Sequence, residues 1–327
     1  MLQCRPRDVW VHGVSGADAF VAPGRAWARR LQSRVAPGWR TRFAPAPTGY
    51  LHLGHAVNAV VVWGLARALD GRVVLRLEDH DRGRCRPAFA DAILDDLDWL
   101  GLEPDVAPTA AYRDGPALRQ SARSARYAAV LGAWEAAGVV YACRCSRRDG
   151  TVPSTDGDRR YTGRCREAGW PIEASVAVRL RFGADVVTLD DVICGVQRQV
   201  PAEQCGDVVL RDRHGNWTYQ FAVSVDDLDQ GIDVVIRGTD LLSSVGRQVL
   251  LGRALGRAAP PQYAHHPLVL RPDGRKLSKS AGDSGLRELR AAGWSPAQVL
   301  GTAAHLAGLQ RDARPIDAAA LAGLFGG

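Results

Sequence analysis

The chain of 327 residues carries 42 lysine and arginine residues against 35 aspartate and glutamate residues, a formal net charge of +7. Apolar residues make up 46% and charged residues 24%, which excludes a disordered or fibrous chain, and the positive excess favours an anionic partner such as nucleic acid. No apolar run approaches the roughly 18 residues of a membrane span, and the first 40 residues lack the apolar core of a secretory signal. We therefore expect a monomeric cytoplasmic protein with no membrane partner.

The N-terminal half predicts a nucleotide-binding α/β unit after an irregular start. Residues 1–40 show no sustained periodicity and are rich in glycine, proline and arginine, which predicts an irregular N-terminal extension. TRFAPAPTG (41–49) predicts a short strand and a loop, residues 55–69 a mostly apolar helix, and RVVLRLED (72–79) a buried strand. Strand, helix and strand in this order form a βαβ unit, the usual beginning of a parallel sheet with nucleotide-binding loops.

Further helices and strands are predicted from the apolar periodicity of the remaining chain. Helices are predicted over residues 86–102, 122–138, 284–294 and 295–309. Strands are predicted in several pieces over residues 175–210, at the start of 233–242 before a turn and a helix, and at the start of 267–280. Residues 219–228 form a short apolar segment with acidic residues at its end.

Both lysines of the chain, Lys276 and Lys279, lie in the segment RKLSKS (275–280). Arginine suits planar, bidentate contacts, whereas lysine is a compact point charge on a flexible stem that can follow a moving phosphate. The alternative is a solvated surface turn. Because both lysines lie within six residues, the pattern favours a phosphate site.

The loop after the first predicted strand continues as PTGYLHLGH, with His52 and His55 at the beginning of a helix. A helix N-terminus presents unpaired N–H groups and the positive end of the helix dipole, so it attracts phosphate. Gly54 would allow an adenine ring or phosphate to approach the backbone closely. The two imidazoles could donate hydrogen bonds to a triphosphate. The alternative is a pair of helix-capping histidines without a chemical role.

HLGH and KLSKS, in this order, resemble the two signature motifs of the class I aminoacyl-tRNA synthetases, which bind ATP and stabilise the transition state of amino-acid adenylation. RFAPAPTG and RLEDHD (76–81) narrow the resemblance to the glutamyl and glutaminyl branch over residues 40–282. The implied fold is α/β, a Rossmann-like parallel sheet with an inserted zinc-containing α+β region and a short helical C-terminal segment. The resemblance implies a catalytic role for His52, His55, Lys276 and Lys279, and ATP binding, together with Mg²⁺, by His52, Gly54, His55 and Lys279.

The same resemblance implies a pocket for glutamate. Its residues would be Arg42, Phe43, Ala44, Pro45 and Ala46 of the first motif, Glu78, Tyr219 and Arg237. Two guanidiniums and one carboxylate complement an amino acid with two carboxylates and one ammonium. The alternative is a structural ion pair, for example between Arg42 and Glu78. Ala46 stands where the family usually has serine, so either glutamate binds more weakly or the substrate differs.

Three of the seven cysteines, Cys143, Cys145 and Cys165, form a cluster in a chain without an export signal, which indicates a metal more than a disulfide framework. Zinc takes four ligands, so three cysteines leave one position to be filled. The short glutamyl-like synthetases have a similar C-x-C and Y-x3-C zinc site. That similarity implies one structural Zn²⁺ per chain, held by Cys143, Cys145, Tyr161 and Cys165. The alternative is three free thiols.

The domain organisation implied by the resemblance is a catalytic core split over residues 41–102 and 207–260, with an inserted acceptor-type region and its zinc site over 103–206. Residues 261–327 would carry the lysine loop and a short helical segment, and the 47 residues after Ser280 are too few for an anticodon-binding domain. In this the chain resembles the glutamyl-Q tRNA(Asp) synthetases, short paralogues of the glutamyl-tRNA synthetases.

The function that this resemblance implies is that of a ligase. It activates L-glutamate with ATP, without tRNA, to glutamyl-adenylate and then transfers glutamate to the queuosine base of tRNA(Asp). Two alternatives remain open at this point. One is a stand-alone adenylate-forming relative that charges a tRNA 3′ end or a small acceptor, and the other is a catalytically silent tRNA-binding module.

Overall fold

The computed structural model of the chain describes residues 22–81, 83–146, 150–154, 159–269 and 285–326. The helices are α1 (Gly24–Gln32), α2 (Leu53–Ala68), α3 (Pro87–Leu100), α4 (Thr109–Asp114), α5 (Ser124–Ala136), α6 (Pro201–Gln204), α7 (Tyr219–Asp229), α8 (Val245–Ala254), α9 (Leu286–Ala291) and α10 (Pro296–Leu306). Short 3-10 helices span Gln120–Arg123, Thr239–Ser244 and Ala318–Leu324. The strands are β1 (Arg40–Phe43), β2 (Arg72–Leu75), β3 (Val140–Cys143), β4 (Thr151–Pro153), β5 (Arg159–Tyr161), β6 (Ala177–Leu180), β7 (Val187–Asp191), β8 (Gly195–Gln199), β9 (Val208–Arg211), β10 (Val234–Gly238) and β11 (Gln262–His266).

Four parallel strands form the centre of the molecule. β1 pairs with β2, and β10 pairs with β11, both in parallel. The two pairs lie side by side, because the Asp233 amide donates to the Arg40 carbonyl at 2.9 Å and the Arg42 guanidinium donates to the Ile236 carbonyl at 3.2 Å. The predicted α/β core with a parallel layer is therefore present. Its last strand, β11, ends at His266, so the core sheet extends beyond the predicted core boundary at residue 260.

Helix α2 runs through the larger apolar core. Residues from Ala56 to Ala66 on all its faces are buried, which is the pattern of a helix surrounded by protein. The 3-10 helix Ala318–Leu324 packs against it, and a Cβ at Gly64 would lie 2.2 Å from the Phe325 ring. This contact requires glycine and fixes the C-terminal segment on α2. The N-terminus of α2 opens at the carboxyl ends of the parallel strands, where ligands bind in open α/β sheets.

The prediction of an irregular extension over residues 1–40 is wrong for part of the described residues 22–40, because Gly24–Gln32 form helix α1. Trp27, Ala28 and Leu31 of α1 are buried in the same core as α2, and the Cβ of any larger residue at Gly24 would lie 2.2 Å from the Leu324 carbonyl oxygen. The helix is strongly amphipathic, but it is only nine residues long and lies in a stretch rich in glycine, proline and arginine, whose composition predicted an irregular chain. Packing against the rest of the chain stabilises it.

The inserted region consists of antiparallel pairs. β3, β6 and β9 form one three-stranded sheet, while β4 pairs with β5 and β7 pairs with β8 as hairpins. The β7–β8 hairpin returns to the parallel sheet, since the Val192 amide donates to the Tyr263 carbonyl at 2.8 Å and the Val192 side chain is buried in the larger core. Part of the predicted insertion, residues 103–206, thus packs as a component of the core.

Two further predictions differ from the structure. The strand placed at the start of residues 267–280 is β11, which ends before Pro267, and most of residues 267–280 lie outside the described part of the chain. The apolar segment 219–228 is helix α7, one side of which buries Phe221, Ala222 and Val225. None of the helices among the described residues combines the length and the apolarity that a membrane crossing demands.

Candidate active site

A cavity of about 430 Å³ opens at the carboxyl ends of β1, β10 and β11 and at the N-terminus of α2. All predicted glutamate and ATP residues in the described part of the chain line it. These are Arg42, Phe43, Ala44, Pro45, Ala46, His52, Gly54, His55, Glu78, Tyr219 and Arg237. The two remaining predicted residues, Lys276 and Lys279, lie outside the described residues. The structure thus brings together side chains from four distant parts of the sequence.

The two histidines cap α2 and line the cavity at the same time. His52 is the N-cap residue: its Nδ1 accepts the Gly54 amide at 3.1 Å, and the Nδ1 of His55 accepts the His52 amide at 3.2 Å. A ring nitrogen that accepts an N–H is unprotonated, so the neutral form of each ring carries its proton on Nε2. Capping, the alternative role in the sequence analysis, therefore coexists with two Nε2–H donors at a helix N-terminus, where phosphate is favoured.

Glycine at position 54 is required by the histidine pair. A Cβ there would lie 2.9 Å from Cε1 of the His52 ring, closer than real Cβ contacts allow. The two imidazole centroids are 4.1 Å apart. Any side chain at this position would push His52 away from its cap, so glycine preserves the arrangement of both rings.

The described residues on either side of the lysine loop lie at the same cavity. Leu268 and Val269, which precede the loop, belong to its lining. Gly285, which follows it, forms an isolated β-bridge with His52, and the Leu286 amide donates to the Leu51 carbonyl at 2.9 Å. The described residues that flank 270–284 therefore lie at the cavity on one side and against the histidine motif on the other.

Arg42 and Glu78, which line the cavity, belong to a buried network of charges behind its wall. Arg42 donates from Nε to Asp227 Oδ1 at 3.3 Å, and Arg76 donates to the same oxygen at 2.8 Å. Arg76 also donates to Glu78 Oε1 at 3.0 Å and to Gln230 Oε1 at 2.9 Å. Burial alone would lower the pKa of the fully buried Arg76, but Asp227 and Glu78 outweigh it and raise the pKa. Its guanidinium is therefore a permanent charge between two carboxylates.

The alternative role raised in the sequence analysis, an ion pair between Arg42 and Glu78, is not present in the structure. Within the described residues Arg42 pairs with Asp227, and Glu78 pairs with Arg76. Towards the described residues, Arg42 uses two of its five N–H donors, for Asp227 and the Ile236 carbonyl, and Glu78 uses only Oε1. The remaining donors of Arg42 and the second oxygen of Glu78 give both side chains hydrogen-bonding capacity at the cavity.

A second wall is formed by Arg237. Its Nε donates to His265 Nε2 at 3.0 Å, Nη2 to the Leu241 carbonyl at 3.2 Å, and Nη1 lies 3.5 Å from the Tyr219 hydroxyl. On its far side, His265 Nδ1 is 2.6 Å from Asp191 Oδ2. Burial is the main cause that lowers the pKa of His265 to about 4, so this imidazole is neutral at physiological pH.

The cysteine cluster lies in the inserted region, apart from this cavity. The Sγ atoms of Cys143, Cys145 and Cys165 lie within 4.8 Å of one another, so the three residues could hold a metal ion. The Tyr161 hydroxyl is 3.5 Å from the Cys143 Sγ and accepts the Cys165 amide at 2.8 Å. Burial would raise the pKa of Cys165, but hydrogen bonds from the Arg144 amide and the neighbouring groups lower it to about 7. Such a thiolate-rich set fits zinc.

Residues 39–311 match the family model of the catalytic domain of the class I tRNA synthetases for E and Q. The chain belongs to this family. It is 41% identical over 288 residues to a glutamyl-Q tRNA(Asp) synthetase of Symbiobacterium thermophilum, covering 84% of this chain and 88% of that protein. A glutamyl-Q tRNA(Asp) synthetase of Nitratidesulfovibrio vulgaris is 40% identical over 291 residues, with the same two shares.

Solved class I synthetases share this fold. A glutamate tRNA ligase from Elizabethkingia meningosepticum, solved in complex with its amino acid, superposes with a TM-score of 0.70 at 27% identity and covers 88% of this chain. This chain spans only 64% of that structure. As a class I tRNA synthetase, the protein is a ligase of the aminoacyl-tRNA synthetase type, and its catalytic fold has mixed α/β content.

The sequence does not predict four residues that lie behind the cavity wall and hold its lining side chains: Arg76, Asp227, Asp191 and His265. A signal existed for the first, because Arg76 and Glu78 are two apart on one strand-like segment and so face the same side. The acidic end of 219–228 pointed to buried charge but gave no partner for it. Asp191 and His265 are 74 residues apart, and no sequence spacing indicates that they meet.

Proposed function

We propose that this synthetase activates L-glutamate with ATP and Mg²⁺ in the absence of tRNA, and then transfers the glutamyl group to the queuosine base of tRNA(Asp). The observation that carries the first step is the meeting of Arg42, Arg237 and Glu78 in one cavity. Two guanidiniums with donors to spare suit two carboxylates, and Glu78 suits the ammonium group. A neutral or basic amino acid would leave one guanidinium without a partner.

The adenylation step needs charge stabilisation at the other end of the same cavity. Glutamate's α-carboxylate attacks the α-phosphorus of ATP, the bond to the β-phosphate oxygen breaks, and pyrophosphate leaves with Mg²⁺. In our proposal His52 and His55 donate from Nε2 to the phosphates, and Lys276 and Lys279 neutralise the charge that develops on the leaving group. Val269, which precedes the segment with the lysines, lines the cavity, and Gly285, which follows it, bridges to His52; both support this assignment.

The zinc site is proposed as a structural brace of the inserted region. Cys143, Cys145, Tyr161 and Cys165 would hold one Zn²⁺, with the tyrosine as the fourth ligand. When bound, the metal would tie the ends of β3 and β5 to the following loop. No step of the chemistry runs through it.

The acceptor is assigned from the relatives. Those that match over 84% of this chain bear the name glutamyl-Q tRNA(Asp) synthetase, and this supports tRNA(Asp) carrying queuosine as the substrate of the second step. An excess of seven positive charges is compatible with an RNA partner.

Glutamate-dependent exchange between ATP and labelled pyrophosphate, measured without tRNA, tests the first step. We expect exchange with glutamate and none above background with glutamine or aspartate. Exchange with a different amino acid would mean that Ala46 marks a changed specificity. Silence with every amino acid would reject tRNA-independent activation.

Charging of tRNA(Asp) with and without queuosine tests the second step. We expect glutamate to be attached only to the queuosine-containing RNA, and to the same extent after removal of the 3′-terminal adenosine, because the acceptor is a base in the anticodon loop. Charging that requires the terminal adenosine would instead support a relative that esterifies the 3′ end.

Replacement of Lys279 by alanine tests the lysine loop. We expect the adenylation rate constant to fall by orders of magnitude, roughly 10²-fold or more, with little change in the KM for glutamate, because the contact is needed mainly in the transition state. Exchange kinetics report both values. Arg213→Ala, which removes an exposed cation on the turn between β9 and α7, is the control and should match the unmutated enzyme. An unchanged rate constant in Lys279→Ala removes the loop from the mechanism.

A further inference from the structure

We propose that Asp191 and His265 form a positioning relay that fixes the Arg237 guanidinium for a carboxylate of the amino acid. Neither residue belongs to a motif recognised in the sequence, and neither lines the cavity. Both side chains are fully buried behind the arginine. The inference rests on the proposed function in one respect, the role of Arg237 as a carboxylate ligand.

The orientation of the Asp191 carboxylate is fixed by its own backbone environment. Oδ1 accepts the amides of Ile193 at 2.9 Å, Cys194 at 2.8 Å and His265 at 3.2 Å. The other oxygen, Oδ2, is therefore the one that faces His265 Nδ1 at 2.6 Å. The turn between β7 and β8 supplies the first two amides, so the conformation of this hairpin directs the carboxylate towards His265 of β11.

The proton of His265 has only one position compatible with both neighbours. The Arg237 guanidinium contains only N–H donors, so the ring nitrogen that faces it, Nε2, must be unprotonated. The ring proton then lies on Nδ1 and is donated to Asp191, which holds that tautomer. Burial lowers the pKa of His265 to about 4, in agreement with a neutral ring.

An imidazole acceptor has a consequence that a carboxylate would not have. Arg42 is held directly by Asp227, which neutralises part of its charge. Arg237 instead donates to a neutral ring, and the Asp191 carboxylate lies on the other side of that ring. Its Nε is immobilised while the positive charge of the guanidinium remains directed at the cavity. With Nη2 bound to the Leu241 carbonyl, Nη1 is the nitrogen aimed at Tyr219 and the substrate.

Two substitutions of His265 separate the two halves of the relay. In His265→Gln the amide oxygen can occupy the place of Nε2 and still accept from Arg237. In His265→Asn the amide nitrogen can occupy the place of Nδ1 and donate to Asp191, but Arg237 loses its acceptor. We expect the asparagine variant to raise the KM for glutamate roughly tenfold or more, the size of one lost hydrogen bond to a charged group, with the KM for ATP unchanged. The glutamine variant should stay within about threefold of the unmutated enzyme, so equal effects of the two variants would overturn the relay.

Asp191→Asn tests the contact between Asp191 and His265, the end of the relay away from the cavity. The amide oxygen must remain with the three backbone N–H groups, so the NH₂ group faces Nδ1 and drives the ring proton to Nε2, against Arg237. We expect a rise in the KM for glutamate like that of His265→Asn.

The matched control is Asp207→Asn. Asp207 is also buried, and it accepts the Phe182 amide at 2.7 Å and the Tyr141 hydroxyl at 2.6 Å. Unlike Asp191, it lies away from the cavity. It should lower the melting temperature without changing the KM for glutamate. A rise in the control equal to that in Asp191→Asn would reduce the effect to lost stability and overturn the relay.

A spectroscopic readout keeps this inference separate from the proposed function. Nitrogen NMR of labelled histidine at pH 7, with the His265 signals assigned by their loss in His265→Gln, should show the Nδ1-protonated tautomer in the unmutated protein and the Nε2-protonated one in Asp191→Asn. A charged ring or the opposite tautomer in the unmutated protein overturns the relay whether or not glutamate is activated. Absence of glutamate-dependent exchange alongside the expected spectra would reject the proposed function and leave the relay standing.

Discussion

Three arginines in and behind the cavity have almost no contact with water: Arg76 is 0%, Arg42 4% and Arg237 5% exposed. Burying a charge is costly unless it is paired and hydrogen-bonded. Each guanidinium meets this condition in a different way: Arg76 between two carboxylates, Arg42 against one, and Arg237 against a neutral imidazole. Arg76, the most fully paired of the three, does not line the cavity, whereas Arg42 and Arg237 do.

Asp227 is the residue on which two of these arginines depend, and Asp227→Asn should be strongly destabilising. Removing one partner of a buried ion pair costs about 3–5 kcal/mol. Burial would raise the pKa of Asp227, but Arg42 and Arg76 outweigh it and hold the pKa below its ordinary value of 3.8. A carboxylate with a depressed pKa contributes stability that is present above pH 3.8 and is lost as the pH falls below it.

Denaturant unfolding between pH 7 and pH 3 measures both effects. The unmutated protein should lose part of its free energy of unfolding below about pH 4, and in Asp227→Asn that part of the slope should be missing. Asp185→Asn, an exposed carboxylate before β7, is the control and should change neither value. Equal slopes in the unmutated protein and in Asp227→Asn would show that Asp227 is not ionised in the way its neighbours demand.

Ala46 lies on the exposed side of the cavity, where the family usually has serine. Restoring the hydroxyl with Ala46→Ser should lower the KM for glutamate by up to about tenfold, since one hydrogen bond contributes roughly 0.5–1.5 kcal/mol. Exchange kinetics at saturating ATP measure it, and the KM for ATP should not move. A higher KM for glutamate in this variant would mean that the alanine is an adaptation to a different pose of the substrate.

At the level of helices and strands, the elements predicted best are those whose pattern lies within one segment. Helices α2, α3 and α10 have long apolar periods or clear boundaries, so periodicity predicts them to within a few residues. Helix α1 was not predicted because its short amphipathic pattern lies among glycine, proline and arginine residues. For the segment that forms α7 no element was predicted, because a short apolar run does not distinguish a helix from a strand. The predicted position of strand β11 lies a few residues too late in the chain, because Pro267 begins an apolar run in the sequence but follows the end of the strand in the structure.

The site shows the same division. Its lining residues were predicted because they lie in short motifs, whereas the contacts that hold those residues join distant elements. Asp227 on α7 reaches Arg42 on β1, and Asp191 on β7 reaches His265 on β11. No local pattern contains such pairs, so the residues that line the cavity were predictable and those that fix them in place were not.

The proposed zinc site should contribute to the stability of the inserted region. Cys165→Ser should lower bound zinc from about one ion per chain and reduce the melting temperature by several degrees, because metal binding contributes to folding. Cys205→Ser, a half-buried thiol outside the cluster, is the control and should retain zinc. Elemental analysis and thermal unfolding give the two readouts. A zinc-free unmutated protein would reject the four-ligand hypothesis.

At the scale of the whole molecule, the excess of positive charge predicts salt-sensitive binding to RNA. Each phosphate contact releases counterions, so affinity falls linearly with salt on logarithmic axes. Raising the salt from 50 to 200 mM should weaken binding to queuosine-containing tRNA(Asp) by at least about tenfold. Filter binding measures the dissociation constant, and the KM for glutamate under the same conditions is the control. Binding that does not respond to salt would argue against a phosphate-dominated interface.

The first described helix and the site are connected across the molecule. Arg30 of α1 and Arg34, two residues after the end of the helix, both contact the Asp190 carboxylate, the residue next to Asp191 in β7. Asp190 is held from outside by these two arginines, and its neighbour Asp191 points inward to His265. The position of the β7–β8 hairpin, and with it the Arg237 guanidinium, therefore depends on a part of the chain that precedes β1.

The oxygen of Asp227 that Arg42 and Arg76 share limits how this enzyme can acquire a new amino-acid preference. Deleting or reversing the charge of Asp227 leaves the buried Arg42 without its carboxylate, at about 3–5 kcal/mol, which is a large share of the total stability of a typical domain. A single substitution of Asp227 is therefore strongly destabilising, whether it arises by natural selection or by protein engineering. Neutral positions on the exposed side of the cavity, Ala46 and Thr48, carry no such penalty. Divergence among such enzymes should begin there, with the charges following only as paired exchanges.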